Sequence, residues 1–198
     1  MKEPILYKIV RPILKFGFDI LYNPTYIGTE KIPKTGKIIL ACNHTNERDS
    51  LLLMCSTKRV IHFMGKHTLF KGIYKPIFKG MGVIPVNRTI KDHNCLISAR
   101  EVLNNDLIIG IFPEGTCNKT NKIMLPLKMG VIKLASDTDT YILPLTIKGK
   151  YKKRNVVLKY GTPYKLDSKN LDKELEKLTT IFYEIMEDKN ENSEKHNN

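Results

Sequence analysis

KIILACNHTNERD (residues 37–49) opens on a continuous apolar run and closes on a polar turn, and the change of character at Asn43-His44 decides the architecture. An apolar run this short, without alternation, fits a strand buried on both faces of a parallel sheet. The polar residues then stand just past its carboxyl end, which is where open α/β sheets bind ligands. A short helix is expected from Asp49, with Asp49 or Ser50 near its cap.

The pattern repeats outward from this segment. RVIHFM (59–64), GVIPV (82–86), DLIIGIF (106–112) and YILPLTI (141–147) read as further strands, and NVVLKYG (155–161) as a partner that pairs with the last in a hairpin. TYIGTEKIPKTG (25–36) reads as a short strand and turns. Helical spacing of apolar residues predicts helices over 91–105, 128–136 and 169–187. HTLFKGIYKPIFKGM (67–81) reads as helical or irregular, broken at Gly72 and Pro76. Strands alternating with helices give an α/β fold with a mostly parallel central sheet flanked by helices.

The first segment, residues 1–24, is an amphipathic helix by pattern. Ile5, Leu6, Ile9, Val10, Ile13, Phe16, Ile20 and Leu21 recur at near-helical spacing, while Lys8, Arg11 and Lys15 fall on another face. Such a helix lies either in a membrane interface, its cations among anionic headgroups, or on the protein's own core. Pro12 is expected to kink it. No run reaches the roughly 18 apolar residues of a spanning helix. Residues 188–198 carry no apolar side chain and are expected to be a disordered tail.

Lys and Arg number 33 against 20 Asp and Glu, a net charge of +13. That balance implies an anionic partner: nucleic acid, anionic lipid, or an acidic protein or substrate. The absence of Trp and an aromatic share of 8% leave no aromatic-interleaved basic stripe of the RNA-binding kind. Cys42, Cys55, Cys95 and Cys117 form no Cys-x-x-Cys pair, which argues against a zinc site, and they read as reduced thiols of a protein facing the cytosol.

Three groups of residues carry chemistry. In a continuous helix the five-residue offset of His44 and Asp49 would part the two side chains, but a strand-to-helix turn brings them together. The carboxylate then accepts a proton from one imidazole nitrogen and leaves the other to take a proton from a hydroxyl. FPEGT (112–116) places Glu114 on a glycine turn after a buried strand, suited to substrate hydroxyls, with backbone N–H groups at Gly115 and Thr116 near a developing oxyanion. GVIPVNR (82–88) ends a strand on Arg88, whose planar fork suits a phosphate, and Lys66, Lys71, Lys75 and Lys79 add positive potential.

Together with LPLKMG (125–130) and ILPLTI (142–147), these blocks resemble, in order and spacing, the glycerophospholipid acyltransferase family, most closely its 1-acylglycerol-3-phosphate acyltransferases. The resemblance covers roughly residues 27–147 and implies an acyltransferase domain over 25–187. It implies His44 as general base with Asp49 as its partner, Arg88 and Lys66 on the acceptor's phosphate, and Glu114, Gly115 and Thr116 in the acceptor and oxyanion region. Pro144 would lie near the acyl donor. The donor would be acyl-CoA or acyl-ACP, with no metal or other cofactor. The implied partners are a lysophospholipid acceptor and an anionic membrane surface at the cytoplasmic face of the cell membrane, not nucleic acid. Three positions depart from the family: Asn46 where Ser is frequent, Asn87 where Asp is frequent, and Cys117 where Arg is usual. Either Lys119 or Lys122 stands in for that arginine, or the acceptor headgroup differs. Another lysophospholipid or lyso-aminolipid acceptor, a basic nucleic-acid-binding module and an inactive membrane-binding homologue are the alternatives.

Overall fold

The computed structural model describes residues 3–87 and 93–187. The elements run α1 (Ile5–Leu21), β1 (Thr25–Ile27), β2 (Ile38–Cys42), α2 (Asp49–Ser56), β3 (Ile61–Lys66), α3 (Lys75–Gly80), β4 (Ile84–Val86), α4 (His93–Asn104), β5 (Ile108–Ile111), α5 (Gly130–Thr138), β6 (Ile142–Lys148), β7 (Val157–Tyr160) and α6 (Leu171–Glu187). Seven strands form one sheet in the order β1-β7-β6-β2-β5-β3-β4. The five from β6 to β4 are parallel. β7 turns back antiparallel on β6, and β1 lies parallel to β7.

β2 is the central strand and all five of its residues are buried. Side chains alternate across a strand, so Ile38, Leu40 and Cys42 face one layer and Ile39 and Ala41 the other. The first layer is built from α1 and α2 through Tyr7, Phe18, Leu52, Leu53 and Met54. The second is built from α4, α5 and α6, with Ala99, Leu103, Ile132, Leu178 and Phe182 against the sheet. Cover on both faces explains why the central strands β2 and β5 are uniformly apolar instead of alternating.

One proline behaves differently from the sequence expectation. Pro76 opens α3 instead of breaking it, because a missing N–H in the first turn removes a donor that has no helical partner. Pro12 lies within α1, which continues through it to Leu21. The expected tail 188–198 lies outside the described residues.

α1 packs one face on the core and leaves a second apolar face open. Tyr7 and Phe18 are buried, while Ile5, Ile9, Ile13, Phe16 and Ile20 form a stripe 57% to 75% exposed. Arg11 does not face outward with the lysines. Its guanidinium donates to the carbonyls of Thr57 and Cys55, which closes the carboxyl end of α2 and ties α1 to it. Lys8 pairs with Glu3 and Lys15 with Asp19. Among the described residues, no helix is long and apolar enough to cross a membrane.

Candidate active site

The polar groups converge at the carboxyl ends of the parallel strands. Asn43, buried directly after β2, extends the strand with its side chain: Oδ1 accepts from the Ile147 N–H at 2.7 Å and Nδ2 donates to the Ile147 carbonyl at 3.0 Å. That clamp on β6 fixes the backbone entering His44. The N–H of His44 donates to Glu114 Oε1 at 2.6 Å, and its carbonyl accepts from Asn118 N–H at 2.7 Å.

The strand-to-helix turn joins the base and its partner. His44 Nδ1 lies 2.9 Å from Asp49 Oδ2. The same oxygen accepts the N–H groups of Thr45 at 2.6 Å and Asn46 at 2.8 Å, so the carboxylate closes the turn that delivers it. Asp49 is fully buried, whereas the His44 side chain keeps 17% of its surface open. No group among the described residues pairs with Nε2. The imidazole stacks on Phe112 at 4.1 Å between ring centroids and 19° between planes. Phe63 lies nearly parallel beyond, 6.5 Å from Phe112. Gly110 permits this packing, since a Cβ there would stand 2.6 Å from the Phe63 ring.

Glu114 is 2% exposed, and its second oxygen accepts the Leu125 N–H at 2.8 Å. Both oxygens are thus held by main-chain donors, one on the His44 turn and one on the far side of the 117–126 loop. The carboxylate knits those segments together. Burial pushes its pKa up, against the lowering effect of the two N–H donors. Gly115 adopts φ +72°, and its N–H donates to the Phe112 carbonyl at 2.9 Å. Gly115 thus closes a turn with its N–H, while the exposed Thr116 N–H has no acceptor among the described residues.

Lys66 ends β3 in register with Val86 of β4 and is exposed. Arg88 lies outside the described residues. Of the cations near Cys117, Lys119 reaches Glu47 at 3.7 Å and Lys122 is exposed. Lys128, unremarked in the sequence, lies across the Gly115 turn, its Nζ 2.7 Å from where a Cβ would stand. Burial pushes the Cys117 thiol pKa up and favours its neutral form. The four cysteines form no disulfide. Among the described residues, no group of three or more His, Cys, Asp and Glu is placed to hold a metal ion.

A cavity of about 240 Å³ opens beside Phe112 and Gly115 and runs between the sheet and the α4–α5 layer. Met64, Leu96, Ile111, Val131 and Leu134 line it, and Lys128 supplies a charged group at its wall. Sequence reasoning missed this cavity, the Phe112 stack and the Asn43 clamp. The "FPEG" string was the one signal available for the stack.

A model of the acyltransferase family matches residues 23–148. The chain is 35% identical over 123 residues to a 1-acyl-sn-glycerol-3-phosphate acyltransferase of Borreliella burgdorferi, a match that spans 61% of this chain and 49% of that protein. It is 29% identical over 165 residues to a protein of the same name from Cocos nucifera, covering 75% of this chain and 52% of the relative. A Bacillus subtilis protein of that name is 25% identical over 80% of this chain and 82% of its own length. The chain thus spans about half the length of the first two relatives. The crystal structure of the 1-acyl-sn-glycerophosphate (LPA) acyltransferase PlsC from Thermotoga maritima is similar with a TM-score of 0.74 and 25% identity, over 94% of this chain and 81% of that one.

Proposed function

Since the chain belongs to the acyltransferase family, we propose that it moves a fatty acyl group from an acyl thioester to the free sn-2 hydroxyl of 1-acylglycerol-3-phosphate, giving phosphatidic acid. The observation that carries this reading is the His44–Asp49 pair at 2.9 Å, with Nε2 without a partner among the described residues and the ring stacked on Phe112 beside an apolar cavity. Nε2 takes the proton of the acceptor hydroxyl as its oxygen attacks the thioester carbonyl. Asp49 holds the ring through Nδ1 and stabilises the imidazolium that forms. Collapse of the tetrahedral species expels the thiolate, which recovers the proton from the imidazolium. A thioester is reactive enough to need no covalent relay on the protein.

The Thr116 N–H, which has no acceptor among the described residues, serves as the backbone donor to the oxyanion. Glu114 and Gly115 serve the acceptor region by fixing the loop that carries it. Lys66 and Arg88 are proposed to hold the acceptor's phosphate, and Pro144 to lie near the donor. The cavity takes an acyl chain, and its apolar lining suits that occupant. The donor carrier is coenzyme A or acyl carrier protein, both anionic and both matched to a net charge of +13. Within this reading, residues 25–187 form the acyltransferase domain. Residues 1–24 place it at the cytoplasmic face of the cell membrane as a peripheral or monotopic protein, the exposed α1 stripe in the interface and nearby lysines against anionic headgroups.

The test is acyl transfer by purified protein in mixed micelles containing lysophosphatidic acid and labelled acyl-coenzyme A. Parallel arms carry acyl carrier protein as donor and other lysophospholipids as acceptor, with His44→Ala beside each. Phosphatidic acid formed by the wild type and not by the variant supports the reading. Product from another acceptor alone would replace the substrate, and product from His44→Ala would remove the mechanism.

A further inference from the structure

Tyr151 stands on the loop between β6 and β7, more than a hundred positions from the turn that carries the base. Its hydroxyl donates to Asp49 Oδ1 at 2.6 Å. Among the described residues that oxygen has one other partner, the Thr45 hydroxyl, at 3.5 Å. The two carboxylate oxygens are thus differently engaged. Oδ2 meets His44 Nδ1 and two backbone N–H groups, while Oδ1 depends on Tyr151. A firm donor on Oδ1 fixes the rotation of the carboxylate plane, and with it the direction in which Oδ2 faces the imidazole.

The tyrosine is itself held from behind. Its ring meets Tyr22 edge-on at 5.5 Å and Phe18 at 6.4 Å, both at the carboxyl end of α1. The N–H of Arg154 donates to the Tyr22 carbonyl at 2.6 Å and pins the loop to the same helix end. Phe18, Tyr22 and Tyr151 all lie outside the stretch matched by the family model, residues 23–148. Burial and the adjacent Asp49 charge push the phenol pKa far up, so the group remains a donor throughout the working pH range.

We propose that Tyr151 is a positioning residue for the His44–Asp49 pair, held in place by Phe18 and Tyr22 of the α1 end. Its effect on catalysis rests on the acyl-transfer reading above; its effect on the imidazole does not. Tyr151→Phe removes the hydroxyl and keeps the ring packed. The variant is expected to lower kcat roughly 10- to 100-fold and to leave KM for the acceptor within about twofold, as for loss of a hydrogen bond to a charged group that touches no substrate. Placed on Asp49→Ala, it is expected to cause no further loss.

A spectroscopic comparison runs without turnover. With ¹⁵N-labelled histidine, and His44 identified by its loss in His44→Ala, the His44 ring-nitrogen resonances move in Tyr151→Phe and stay fixed when the same change is made on Asp49→Ala. Tyr22→Leu, which leaves the hydroxyl in place and removes the ring it rests on, moves the same resonances and lowers kcat by roughly threefold. His44 resonances unmoved by Tyr151→Phe, or a further kcat loss on Asp49→Ala as large as on wild type, overturn the proposal. If Tyr151→Phe fails to fold, unmoved resonances in Tyr22→Leu overturn it. If the wild type transfers no acyl group while the resonances respond as described, the acyl-transfer reading falls and the positioning role stands.

Discussion

Glu114 Oε1 accepts the backbone N–H of His44 at 2.6 Å, so the residue that begins one motif is held by the carboxylate at the centre of another. Burial raises the pKa of that carboxylate. A carboxyl group whose folded pKa is raised contributes stability that is present below its ordinary value and is lost as pH rises through the raised value. Chemical denaturation is therefore expected to show a component that falls as pH rises above the ordinary carboxylate range, and Glu114→Gln is expected to abolish it. A component of the same size in Glu114→Gln would assign it elsewhere.

Removing the base and removing its partner have different consequences for the fold. His44→Ala is expected to lose at least about a thousandfold in turnover with little change in thermal midpoint, since the ring is partly open and, among the described residues, donates to no buried group other than Asp49. Asp49→Ala strips the acceptor from the Thr45 and Asn46 N–H groups and from Tyr151, and is expected to lower stability by about 2–4 kcal/mol as well as turnover. Denaturant midpoints measured beside kcat separate the two effects, and an Asp49→Ala protein as stable as the wild type would contradict this account.

The cavity makes a prediction about chain length. Leu96 lines it from α4 and is only partly buried, so Leu96→Phe fills space without forcing the core apart. Exclusion of two methylenes at about 0.8 kcal/mol each lowers kcat/KM for a long-chain donor roughly 15-fold, with a shorter donor little affected. A uniform loss across donors of graded length would place the acyl chain elsewhere.

Exposed apolar residues on α1 are expected to report on membrane contact. Ile9 and Ile13 are 57% and 67% exposed, so Ile9→Glu with Ile13→Glu leaves the fold intact. Co-sedimentation with vesicles rich in anionic lipid is expected to fall at least about tenfold in the double variant, and wild-type binding to weaken with added salt. Undiminished binding would show that the stripe does not meet the bilayer.

Lys66 separates two kinds of acceptor. If it holds a phosphate, Lys66→Ala raises KM for lysophosphatidic acid by roughly five- to tenfold and leaves KM for a neutral monoacylglycerol unchanged. Equal changes for both acceptors would make Lys66 structural.

Much of this protein is written in local pattern. Uniformly apolar runs at 38–42 and 108–111 identify strands covered on both faces, because no solvent face remains to demand alternation. The His44–Asp49 pairing is legible once a strand-to-helix turn is expected between them, since such a turn lets a five-residue offset bring the two side chains together. What lies beyond a few residues' reach is not. Nothing near Glu114 indicates that its two oxygens serve the backbones of His44 and Leu125, and nothing near Tyr151 points to Asp49, 102 positions away. Local sequence fixes where a strand or turn begins, because dihedral preference and periodicity are properties of neighbouring residues. Which donor meets a buried carboxylate is set only when the sheet brings distant loops to one edge, and that was decided by the tertiary structure alone.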